Sequence, residues 1–86
     1  MHRDANYGLG IVVEKLGLDS NAAEMLYLRT LRIDPTHAAA HSSLADVLMD
    51  SSENRTAEAL ASFTRALALN PASLHAYVMM EMSDLA

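Results

Sequence analysis

The sequence predicts an all-α fold in which one helical hairpin corner is written twice. Residues 29–41, RTLRIDPTHAAAH, read as a helix end, a turn at Asp34-Pro35 and a new helix start; residues 65–77, RALALNPASLHAY, say nearly the same thing 36 positions later. Hydrophobic residues make up 51% of the chain with no Trp and one Phe, so the core must be built from Ala, Leu, Val and Met. Only three Gly and two Pro interrupt 86 residues, too few for the frequent turns of an all-β sandwich.

Five helices are expected in one domain, 1–86. The first covers about 3–16 and ends at Gly17, a residue suited to a left-handed cap. The segment LDSN is a loop, with Ser20 or Asn21 capping a second helix over about 22–33. Asp34-Pro35 stops that helix, because Pro lacks an amide hydrogen and restricts the residue before it. Thr36 is the expected cap of a third helix over about 37–50. SSENR makes the next turn, and a fourth helix covers about 56–69. Asn70-Pro71 repeats the stop, Ser73 offers a cap, and a fifth helix takes the remainder of about 72–86.

A self-alignment at a shift of 36 pairs Ala23 with Ala59, Tyr27 with Phe63, Arg29 with Arg65, Leu31 with Leu67 and Ile33 with Leu69. Thr30 falls on Ala66, Asp34 on Asn70 and Pro35 on Pro71. The matches have helical spacing and end in the same breaker, which marks stacked supersecondary units.

These residues resemble the tetratricopeptide repeat, a helix-turn-helix unit of about 34 residues. Ala59, Phe63, Ala66 and Pro71 stand at that family's spacing in one unit, and Ala23, Tyr27, Thr30 and Pro35 in the other. Leu9-Gly10 matches its Leu-Gly pair, and Leu44-Ala45 matches with Ala for Gly; small residues there let paired helices approach closely. Asn6 and His41 depart from the pattern in a slot that is usually bulky, and Val13 and Leu48 replace an aromatic. The resemblance implies a right-handed stack of helical hairpins, a tetratricopeptide-like α-solenoid, with repeats at about 3–35 and 36–71 followed by the last helix.

The same resemblance implies a binding groove lined by the first helix of each unit. It would draw on Tyr7, Ile11 and Glu14, then Ala39, Ser42, Ser43, Asp46 and Asp50, then His75. Such a surface is mildly acidic and suits a segment with apolar anchors and some basic residues. Val78, Met79 and Met82 in LHAYVMMEMSDLA make a flexible apolar face expected to hold a partner or a second copy. One subfamily grips C-terminal carboxylates with Lys, Asn and Arg in this groove. The matching positions here, Tyr7, Ile11, Ser43, His75 and Met79, lack that chemistry.

Eleven acids against six bases give a charge of −5, which disfavours nucleic acid and anionic membranes. That balance also argues against an RNA-reading helical repeat. His37 and His41, four apart, could share a metal, but a site needs further ligands and only Asp34 is near in sequence; no metal or cofactor is expected. Asp46, Asp50, Glu53 and Glu58 read as solvated faces rather than an acid-base pair in a pocket. No serine sits in a nucleophile elbow and no glycine loop cradles phosphate, so no enzyme is expected. The absence of cysteine removes disulfides and thiolate zinc sites and leaves the compartment open. No stretch reaches the ~18 apolar residues of a span, and MHRDANYGLG is neither a signal nor a transit peptide. A soluble, cytoplasmic protein-protein interaction module or scaffold is expected. The alternatives are a structural subunit of a large assembly and an accessory domain of an enzyme.

Overall fold

A computed structural model describes residues 3–17, 19–50 and 55–72, and these are all-helical, with four helices. They are α1 (Arg3–Lys15), α2 (Ser20–Ile33), α3 (Ala38–Asp50) and α4 (Thr56–Leu69). The count is four rather than the expected five, because the fifth is expected over 72–86, of which 73–86 lie outside the described residues. Residues 51–54, expected to be a turn, lie outside them as well. α1 packs along α2, α3 along α4, and α2 against α3, while α1 meets α3 only lightly.

The helix boundaries show which local signals dominate. α1 closes where Gly17 turns left-handed, at φ 65°, and its amide bonds to the Glu14 carbonyl at 3.0 Å. α2 starts at Ser20, and the cap is Asp19, not Ser20 or Asn21. The Asp19 carboxylate accepts the Asn21 amide at 2.9 Å, satisfying an orphan donor of the first turn.

α3 begins at Ala38, and Thr36 does not cap it. The Thr36 amide and hydroxyl are both engaged by the Asp34 carboxylate, at 3.1 and 2.7 Å. The cap role passes to His37, whose Nδ1 accepts the Ala40 amide at 3.1 Å. That contact needs a neutral ring carrying its hydrogen on Nε2.

The two corners match in detail. Asp34 (φ −138°, ψ 91°) gives its amide to the Thr30 carbonyl, and Asn70 (φ −141°, ψ 85°) gives its own to Ala66, both at 2.8 Å. Each is followed by a Pro in a turn. The β-region backbone of the pre-proline residue is what the pyrrolidine ring demands.

The core is small-residue and aliphatic with two rings in it. Ala23, Tyr27, Leu44, Ala45, Val47, Leu48, Ala59, Phe63 and Ala66 form it, flanked by half-buried Tyr7, Ile11, Val13, Leu31, Met49 and Leu67. Tyr27 and Phe63 are both fully buried. A Cβ on Gly10 would sit 2.6 Å from Tyr27 Cε1, so the close approach of α1 to α2 depends on that glycine. Arg55, just before α4, grips Glu24 of α2 with two nitrogens at 2.7 and 2.9 Å and also bonds Glu58, at 2.9 and 3.2 Å.

Candidate functional site

The surface that α1 and α3 share is an open trough. Ile11, Glu14 and Lys15 of α1 and Ser43 and Asp46 of α3 line one hollow of about 460 Å³. A second, of about 420 Å³, is lined by Val13, Glu14, Gly17, Asp19, Ser20, Val47 and Asp50. Glu14 belongs to both. Lys15 therefore shares one hollow with Glu14 and Asp46, while Glu14, Asp19 and Asp50 line the other, with Ile11, Val13 and Val47 as the apolar walls.

Polar contacts fix the floor. The Tyr27 hydroxyl donates to Glu14 Oε1 at 2.6 Å, and the Tyr7 and Ser43 hydroxyls pair at 3.3 Å across α1 and α3. Burial drives the Tyr27 phenol far above its ordinary range, and the Glu14 carboxylate adds to the rise by holding the phenolic proton. The Tyr7 ring lies 5.8 Å from that of Tyr27 and 4.8 Å from that of His37, tilted at 44° and 43°. Tilted pairs at this separation suit the ring quadrupoles.

Of the expected groove residues, Tyr7, Ile11, Glu14, Ser43, Asp46 and Asp50 come together here. Ala39 is exposed but lines neither hollow. Ser42 and Ser43, expected on the surface, are both buried, at 8% and 9% exposure. Ser42 is turned into the protein, with a buried Oγ that has no hydrogen-bond partner among the described residues. α3 is flanked by α2 and α4, so little of its circumference remains for solvent. His75, Val78, Met79 and Met82 lie outside the described residues.

The two histidines are held apart by separate contacts. His37 caps α3, and His41 Nε2 meets the Pro35 carbonyl at 2.9 Å, so Nε2 is the donor. Among the described residues no three His, Asp or Glu side chains gather as a metal-binding group. Glu58 belongs to the Arg55 clamp, which holds its carboxyl below the ordinary value through a hydrogen bond. Glu53 lies outside the described residues.

Six lining residues fall outside the expected groove: Val13, Lys15, Gly17, Asp19, Ser20 and Val47. Lys15 and Val13 flank Glu14, and their place on the trough follows from α1 lying beside α3. Asp19 and Ser20, at the start of α2, line the second hollow together with Val47 and Asp50 of α3. Among the described residues no helix is long and apolar enough to cross a membrane. No protein-family model matches the chain, and no curated protein matches its sequence.

Proposed function

We propose that the chain is a non-catalytic protein-binding module in which tetratricopeptide-like hairpins stack right-handedly and hold a partner segment in the α1–α3 trough. The observation that carries the binding reading is the trough itself: apolar walls, four carboxylates and one lysine in an open channel. A segment with an apolar anchor between basic residues complements it in both shape and charge.

The stacked-repeat reading is supported by the matched corners at Asp34-Pro35 and Asn70-Pro71 and by the equal burial of Tyr27 and Phe63. Helix lengths agree with it: α1 and α3 have 13 residues, α2 and α4 have 14. Tyr27, which holds Glu14 from beneath the trough, is buried and made less willing to ionise, the opposite of an activated base.

The test is fluorescence anisotropy with labelled peptides of Leu and Lys/Arg against the full chain. Saturable binding that weakens at least about tenfold in Asp46→Lys/Asp50→Lys supports the proposal. Binding indifferent to the double reversal, or absent up to about 1 mM peptide, overturns it.

A further inference from the structure

The hydroxyl of Tyr27 is more than its place in the core requires. Phe63 fills the matching place on α4 with a bare ring, and both rings are fully buried. Packing at this position therefore needs only the ring. A buried hydroxyl costs stability unless it is bonded, and the bond it makes here leads out of the core. The Tyr27 hydroxyl donates to Glu14 Oε1 at 2.6 Å, and Glu14 is the one residue that lines both hollows of the trough.

That bond is braced from beneath. The Ser43 hydroxyl, in a residue only 9% exposed, lies against the same phenol and pairs with the Tyr7 hydroxyl at 3.3 Å. Burial keeps the Tyr27 proton in place, so the phenol remains a donor.

The result is a carboxylate with one oxygen occupied. Oε1 of Glu14 takes the Tyr27 hydroxyl, and among the described residues Oε2 receives no hydrogen bond. Lys15, next along α1, does not face it, because successive helix positions point apart. A guanidinium binds a carboxylate best as a fork, with two parallel bonds to two oxygens. An ammonium is a compact charge that a single oxygen can serve.

We propose that Tyr27 sets the specificity of the trough: by holding Glu14 through Oε1 it leaves Oε2 as a single-point anchor that selects a lysine ammonium of the partner segment over an arginine guanidinium. The selection rests on the trough reading above and narrows its basic residues to lysine. Tyr27 is a positioning residue, since it acts through Glu14 from inside the core. Asp46 in one hollow, and Asp19 and Asp50 in the other, attract either cation, so the preference is modest.

Two labelled peptides that differ only in carrying Lys or Arg beside the same Leu anchor, measured by fluorescence anisotropy against the full chain, test it. The parent should hold the Lys peptide at least about threefold more tightly than the Arg peptide. Tyr27→Phe keeps the ring and frees Oε1, so this ratio should fall to about one or reverse. Lost stability alone does not change that ratio in a chain that circular dichroism shows to be folded. Glu14→Gln still offers the Tyr27 hydroxyl an oxygen but carries no charge. It should weaken the Lys peptide at least about threefold and erase the preference. A parent that binds the two peptides equally, or prefers Arg, overturns the proposal and leaves the trough reading standing. So does a preference that survives Tyr27→Phe or Glu14→Gln. If neither peptide binds the parent up to about 1 mM, both fail together.

Discussion

Tyr27 of α2 and Glu14 of α1 are joined by a 2.6 Å hydrogen bond from a fully buried ring to a carboxylate on the rim of the trough. The bond ties the core to the candidate binding surface, and its counterpart Phe63 has no hydroxyl to do the same on α4. Tyr27→Phe should therefore fold normally but lose about 1.5–3 kcal/mol of stability, the usual worth of a hydrogen bond to a charged group. Tyr27→Ala should lose about 3–5 kcal/mol through the cavity it opens. Urea denaturation followed by circular dichroism distinguishes the two.

The phenol of Tyr27 also gives a pH signature. Its pKa is raised in the folded chain by burial and by Glu14, above the ordinary 10.0 of an unfolded tyrosine. The folded state thus holds this proton more tightly, so the stabilisation is complete below pH 10.0 and falls away as pH rises past it. Absorbance titration should show one of the three tyrosines failing to ionise until the chain unfolds.

Gly8 and Gly10 stand two positions apart on α1 and should respond to alanine with opposite signs. A Cβ on Gly8 meets nothing within 4 Å, so Gly8→Ala should stabilise by about 0.5–1 kcal/mol through helix propensity. Gly10→Ala would force a Cβ to 2.6 Å from the Tyr27 ring and should destabilise by about 1–3 kcal/mol. Thermal melts of the two variants decide the matter.

The Arg55 clamp predicts acid sensitivity. Arg55 holds the Glu58 carboxyl below the 4.5 of a free glutamate. A depressed folded pKa stabilises the chain above 4.5, and that contribution disappears as pH drops through the folded value. Arg55→Ala should lower the denaturation midpoint at pH 7, flatten its dependence on pH below 4.5 and weaken its dependence on salt.

His37 supplies the N-cap of α3 and packs its ring on Tyr7. His37→Ala should cost about 1 kcal/mol. His37→Asn should recover most of the capping part but none of the ring packing on Tyr7. Chemical denaturation of the pair separates the two roles.

Much of the helical order was legible because it rests on local chemistry. Asp34-Pro35 and Asn70-Pro71 end helices wherever they occur, since proline removes a donor and restricts its neighbour. Gly17 tolerates a left-handed backbone on its own account. Caps were legible only to within a residue or two: Asp19, Ser20 and Asn21 compete for one role, and Asp34 drew Thr36 away from another. The i, i+3 pair Arg55–Glu58 could be read along the chain, but Glu24, 31 residues from Arg55, could not.

What sequence alone determined is the all-helical state, the four described helices to within about two residues at each end, and the paired corners, because each depends on interactions within a turn or so of chain. What only the tertiary structure decided is which sides of those helices meet. Leu9 and Leu44 look alike in sequence, yet one is bare and the other core. Ser42 and Ser43 read as surface and are buried, while Asp19 and Lys15 line a trough to which nothing in their own neighbourhood assigns them. Burial is a property of what lies opposite a side chain, and that is set by the packing of helices whose partners are distant in sequence.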